Sequence, residues 1–379
     1  MSVSLEPVYL DHAATAPMRP EAVEAMLPYL TERFGNPSGS HAVAREARKA
    51  LDEARDVVAE CLGAQPGEVV FTGSGTEADN LAILGAHASR DGRVVCTAVE
   101  HHAVLHACAA LGGDVSPVGA DGIVDVRSLR ARLGPDTSVV SVMLANNEVG
   151  TVQPLEAVAA TVRDRAPNAV LHTEAVQAFP WLGVATLARP ADLVAVSAHK
   201  FGGPKGVGAL VVRDGTRVAP ILHGGGQERD RRSGTHNVAG IVGMAAAMRA
   251  TVATRAQTVA RVTSLRDRLA DGLLAVIPDA AETGDRSSKV AGNCHLSFAG
   301  VESEALLVLL DGAGVCASAG SACTSGAIEP SHVLVAMGVA KGRALGSLRL
   351  SLGVTTTESD VDRALEAVPA AVARLRETA

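Results

Sequence analysis

Residues 69–97 read VVFTGSGTEADNLAILGAHASRDGRVVCT, and their pattern decides the fold. Residues 69–71 form a short run apolar on both sides, Gly73 and Gly75 punctuate a turn, 76–88 is helix-like, and 93–97 is a second short apolar run. A strand with no polar side fits a sheet covered on both faces, and a strand–helix–strand alternation makes successive strands parallel. The alternation continues through apolar runs at 138–144, 169–172, 192–198 and 208–212, with helical stretches at 101–111 and 154–166. Upstream, Val43, Ala47, Leu51, Ala54, Val58 and Cys61 recur every three or four residues, the buried face of a helix over 40–62. The pattern predicts an α/β fold with a mostly parallel sheet.

A helical pattern then runs from 238 to about 277, and a break containing Gly and Ser at 283–288 reads as a linker. Beyond it come strands at 294–298 and 347–351, a helix at 302–311 and an Ala-rich terminal helix after Thr357, whose hydroxyl can cap it. The expected organisation is an N-terminal segment, 1–20, joined to the small domain, a large domain, 21–282, and a small α+β domain, 283–379.

Composition narrows the function. Of 379 residues, 47% are hydrophobic and 20% charged, but there are only one Trp, two Tyr and five Phe, so aliphatic residues build the core. Platforms of stacked aromatics for single-stranded nucleic acid are excluded. The formal charge of −7 and an isoelectric point near 6.0 argue against nucleic-acid and anionic-membrane surfaces. The N-terminus has acidic Glu6 and no basic region, and the longest apolar run, 238–248, falls short of a membrane span, so a cytoplasmic protein is expected. Cys61, Cys96, Cys108, Cys294, Cys316 and Cys323 form no C-x-x-C pair, which argues against disulfides and structural zinc. The lysines are few: Lys49, Lys200, Lys205, Lys289 and Lys341.

The chemistry concentrates at strand ends. In DLVAVSAHKFGGPKGVG, residues 192–208, a buried strand ends in Ser197, His199 and Lys200 and runs into glycine-rich backbone. An amine partly desolvated at the mouth of a sheet has a lowered pKa and can form a Schiff base with an aldehyde cofactor, although a lysine can also simply end a strand. Gly75 and Thr76 place backbone N–H groups at a helix start, where a phosphate fits. Gly73, Gly75 and Ala78 also satisfy G-x-G-x-x-A, which would suit a nicotinamide dehydrogenase, but no clear acidic ribose ligand follows. VEHHAV (99–104), LANNEVG (144–150) and HTEAVQ (172–177) also lie at or after strand ends, where ligands of open α/β sheets collect. His102 and His106 share a helix face, yet no third ligand is evident and no metal is expected. GVCASAGSACTSG, 314–326, has the composition of a mobile loop that would carry Cys323 as a nucleophile or as an inert small residue, with Cys316 structural.

Together YLDHAATAP, FGNPSGSH, FTGSGTEADN, VEHHAV, ANNEVGT, SAHKFGGPKGVGAL, HGGGQE, RRSGT, ASAGSACTSG and SLRLSLG resemble the NifS/IscS-like cysteine desulfurases of the class V aminotransferase family, over nearly the whole chain. The resemblance implies a pyridoxal 5'-phosphate enzyme of fold type I, with a mainly parallel seven-stranded sheet in the large domain and a homodimeric assembly. It implies that Lys200 holds the cofactor and moves the Cα proton, and that His101 stacks on the ring and assists protonation. Gly75, Thr76, Ser197 and His199 would hold the phosphate, with Thr235 reaching across from the partner subunit. Asn147 and Gln177 would contact the ring oxygen, and Arg349 would bind the substrate carboxylate. Cys323 would take sulfur from L-cysteine as a persulfide, releasing alanine, for transfer to a sulfur-acceptor protein such as one of iron–sulfur cluster assembly. One position departs from the family's H-x-D-A-x-Q: Glu174 stands where the aspartate facing the pyridine nitrogen is expected. A selenocysteine lyase-like C–S or C–Se lyase, or a weakened sulfur-carrier homologue, are the other readings that the resemblance leaves open.

Overall fold

The computed structural model describes residues 7–319 and 329–377. Its central sheet has seven strands in the order Val69–Thr72, Gly208–Val212, Leu193–Ser197, Val170–Glu174, Thr137–Ser141, Arg93–Thr97 and Asp114–Ser116. Only Gly208–Val212 runs antiparallel to its neighbours. Alternation along each strand feeds two cores. Val69, Phe71, Val95, Val140, Val194 and Val211 face one side, with the helix Ala42–Leu62. Val70, Val94, Cys96, Val139, Leu193 and Leu210 face the other, with the helix Gly75–Ala88. Both faces are dry, which is why the strands read as continuous apolar runs.

The six expected strand runs are all present, two of them (93–97 and 208–212) at the expected bounds and the others with shifted ends. The sheet strand expected at 138–144 ends at Ser141, although Val142 and Leu144 still donate to the carbonyls of His172 and Glu174 at 3.1 and 2.9 Å. The strand expected at 169–172 runs on to Glu174. The seventh strand, Asp114–Ser116, escaped the pattern because it is short, polar and half-exposed at the sheet edge.

A separate core in the small domain holds Val8, Leu10, Leu296, Phe298, Leu306, Leu348 and Val361. Its sheet orders Ser347–Ser351, Asn293–Ser297 and Ala281–Glu282, and the N-terminal Val8–Tyr9 pairs in parallel with Val315–Cys316. The helix Val238–Val276 belongs to both cores: Ile241, Met244 and Met248 pack in the large one, and Val262, Leu265, Leu269 and Leu273 in the small one. The small-domain core therefore starts within this helix, before the break at 283–288. That break contains the short turn Arg286–Ser288, capped by Asp285. Among the described residues no helix is long and apolar enough to cross a membrane.

Candidate active site

The C-terminal ends of the parallel strands open into a cavity of about 480 Å³. Strand Val69–Thr72 turns through Ser74 into the helix Gly75–Ala88, and the Ser74 hydroxyl accepts the Glu77 amide at 3.1 Å. The helix N-terminus thus presents Gly75 and Thr76 to the cavity. A Cβ on Gly75 would lie 3.1 Å from Ser197 Cβ and 3.2 Å from Val176 Cγ2, closer than ordinary contact, so a side chain here would push these neighbours back by a few tenths of an ångström. His101, Asn147, Glu174, Gln177, Ser197, His199, Lys200 and Arg349 all line the same cavity. These residues come from five strand ends of the large domain and one strand of the small domain, and the fold brings them together.

Lys200 donates from Nζ to the carbonyls of Ala13 and Ala14 at 2.6 and 2.9 Å. Burial, and then the charge of Arg349, pull its ammonium down to about 8, against the opposing pull of Glu174 and Asp11. A lysine near 8 is a usable nucleophile and base at neutral pH. Gln177 donates to the same Ala13 carbonyl at 2.8 Å. His199 Nδ1 lies 3.2 Å from Thr15 Oγ1, and burial with the nearby Lys200 and Lys205 lowers the imidazole to about 4, so the ring is neutral at pH 7.

Arg349 is nearly buried and does not present a free fork. Its Nη2 donates to Asp11 and its Nη1 to the Asn147 carbonyl, leaving Nε without a partner. His101 caps the helix His102–Ala110 by accepting the Ala103 amide at Nδ1, and that atom lies 4.0 Å from Glu174 Oε2.

The donor set fits pyridoxal phosphate: an amine, a helix N-terminus with a hydroxyl and an imidazole for the phosphate, an imidazole at the ring face and a buried carboxylate, Glu174, for the ring nitrogen. Two expected residues are not among those lining the cavity. Thr235 is exposed and does not line this cavity. Cys323 lies outside the described residues.

The cavity also contains groups to which the sequence reading gave no role: Asp11, Asp79, Glu148, Ser318 and His332. Asp11 stands in YLDHAATAP and Asp79 in FTGSGTEADN, so the motifs held them, but nothing local marks an aspartate that faces a site assembled from distant segments. Glu148 is buried and its carboxyl accepts the hydroxyl of Ser331, while burial raises it above the usual carboxylate range.

Comparison with known proteins agrees with this geometry. Residues 8–364 match the family Aminotransferase class-V. The chain is 48% identical to an IscS-like cysteine desulfurase of Mycobacterium tuberculosis, covering 98% of each chain. Among solved structures it is similar to a NifS-like protein at 34% identity and a TM-score of 0.90, covering 97% of this chain and 100% of that one. It is also similar to SspA in complex with cysteine, at 30% identity and a TM-score of 0.79, covering 92% and 99%. With matches of this extent on both sequence and fold, the chain belongs to the class V aminotransferase family, among its IscS-like and NifS-like members.

Proposed function

We propose that this protein is a cysteine desulfurase, which uses pyridoxal 5'-phosphate to convert L-cysteine to L-alanine and keeps the sulfur as a persulfide on Cys323. The observation that carries the reading is the convergence, around one cavity, of a lysine lowered to about 8, a phosphate-ready helix N-terminus and a buried carboxylate. Family membership and the similarity to a structure holding cysteine support the same reading.

When bound, the cofactor supplies the electron sink that makes the Cα proton of an amino acid acidic. Gly75, Thr76, Ser197 and His199 would hold its phosphate, Glu174 would pair with its ring nitrogen, His101 would stack on its ring, and Asn147 and Gln177 would contact its ring oxygen. Lys200 would hold it and then serve as the base for the Cα proton. Arg349 binds the substrate carboxylate as a charge-assisted pair and so sets the orientation of Cα toward Lys200.

Cys323 then acts as nucleophile. Its thiolate attacks the substrate sulfur, the Cβ–S bond breaks, and the sulfur stays on Cys323 as a persulfide while the carbon skeleton takes up a proton and leaves as alanine. The attacking form is the thiolate, a minor species of an unperturbed thiol at neutral pH. Exposed Thr235 suits a homodimer in which it reaches the phosphate site of the partner subunit. A protein thiol or scaffold then accepts the sulfur in the cytoplasm.

Incubation with L-cysteine and pyridoxal phosphate, followed by mass spectrometry, tests the reading. The expected result is one added sulfur atom on Cys323, alanine as product, and neither with Cys323→Ser. Alanine formed at the normal rate by Cys323→Ser would overturn it.

A further inference from the structure

A buried pair of carboxyl groups forms the floor of the cavity. Asp79 lies on the helix Gly75–Ala88 and Glu174 ends the strand Val170–Glu174. A carboxylate oxygen of each, together with a ring nitrogen of His101, lie within 4.8 Å of one another. Asp79 is 1% exposed and Glu174 3%. Asp79 Oδ1 has no hydrogen-bond partner, and neither has His172 Nε2, which faces it at 3.6 Å. Two carboxyl groups this close, away from water, do not both ionise unless a cation stands between them.

The surrounding groups provide no such cation for Asp79. His172, on the same strand as Glu174, has its Nδ1 2.8 Å from Ser141 Oγ and is lowered to about 3 by burial, so its ring is neutral. His101, at the start of the next helix, uses Nδ1 to accept a backbone amide, so that atom carries no proton. Glu100, between that helix and its preceding strand, adds repulsion and is itself pushed up to about 8 by burial. Lys200 acts on Glu174 from the cavity side. Burial, and next Glu174, hold the Asp79 carboxyl well above its ordinary range.

We propose that Asp79 is a positioning residue that keeps one proton for the pair and donates it to Glu174, so that Glu174 faces the cofactor's ring nitrogen as a carboxylate of fixed orientation. The proposal rests on the cofactor reading above.

Asp79→Asn keeps a donor of the same shape without the titrating proton, and Asp79→Ala removes the donor. The affinity of each apoprotein for pyridoxal phosphate is measured by absorbance titration, and the melting temperature of each apoprotein is followed from pH 5 to pH 8. The expected results are an affinity for Asp79→Asn within about threefold of the parent, and a loss of about tenfold or more for Asp79→Ala. A folded-state carboxyl held above its unfolded value loses stability as pH rises, so the parent melts lower at pH 8 than Asp79→Asn, and the gap narrows toward pH 5. Equal loss of affinity in both variants, or no pH-dependent gap between the parent and Asp79→Asn, overturns the proposal even if Asp79→Ala fails to fold. A parent that binds no pyridoxal phosphate at all overturns the cofactor reading first and this proposal with it.

Discussion

Arg349, on the small-domain strand Ser347–Ser351, donates from Nη2 to Asp11 Oδ1 at 2.8 Å, across 338 residues of chain. The expected carboxylate-binding arginine is thus already paired with a carboxylate of its own chain, and the substrate must replace Asp11 or share the guanidinium with it. Replacing the planar fork by a point charge removes the geometry that a bidentate pair needs. Arg349→Lys is expected to raise the KM for L-cysteine at least tenfold while the affinity for pyridoxal phosphate stays within about twofold. Asp11→Asn, which weakens the competitor, is expected to lower KM. Steady-state alanine assays and absorbance titration measure both.

On the proposed reading, the protonation state of Lys200 sets the rate of cofactor capture. With the amine at about 8, its neutral, reactive fraction is half at that value and levels off within about two pH units above it. The rate at which the visible absorbance of bound cofactor appears is expected to rise through pH 7 and flatten above about pH 8. A rate that keeps climbing toward the ordinary lysine range would show that the amine is not desolvated as the structure has it.

Gly75, at the start of the helix Gly75–Ala88, packs closely against two neighbouring side chains. A methyl group there would press on Ser197 Cβ and Val176 Cγ2 at 3.1 and 3.2 Å, inside ordinary contact distance. Overpacking of this kind costs typically 1–3 kcal/mol. Gly75→Ala is expected to lower apoprotein stability by about that amount and to weaken cofactor binding at least tenfold, read by thermal melting and titration.

Away from the cavity, Glu228 accepts two hydrogen bonds from Arg55 at 2.8 and 2.6 Å, one from the Phe71 amide at 2.9 Å, and lies 2.7 Å from His236 Nε2. It begins a turn in which Glu228, Arg229 and Asp230 all have positive φ, a conformation held only where contacts compel it. Burial raises the Glu228 carboxyl, and the bonds from Arg55 and His236 more than offset this, leaving it at about 2. Its folded value lies below its unfolded one, so its contribution is complete above about pH 4.5 and disappears as pH falls toward 2. Glu228→Gln leaves Arg55 buried without its counter-charge and is expected to destabilise the protein by about 3–5 kcal/mol at pH 7. Urea denaturation across pH 2–7 should show a flatter acid limb for the variant than for the parent.

Where local patterns ruled, sequence and structure agree. The strand Gly208–Val212 and the helix ending at Leu62 occupy the expected positions because the strand is an unbroken run of buried residues and the helix buries one face at a period of 3.6. Lys200, Gly75 and Thr76 were legible for a similar reason: a strand running into glycine-rich backbone, or into a helix start, marks the mouth of an α/β sheet. The edge strand Asp114–Ser116 was not legible, since three residues, two of them exposed, are too short to carry a period.

The amino-acid pattern by itself determined the α/β sheet, the lysine at its mouth and the phosphate-ready turn, because each depends on neighbours a few residues apart. The tertiary structure alone decided that Asp11 occupies Arg349, that Asp79 meets Glu174, and that the helix Val238–Val276 serves two cores. Those contacts join segments that no spacing rule relates, and they form only when the packed chain removes the groups from water and leaves each polar atom to find whatever partner the fold has brought within reach.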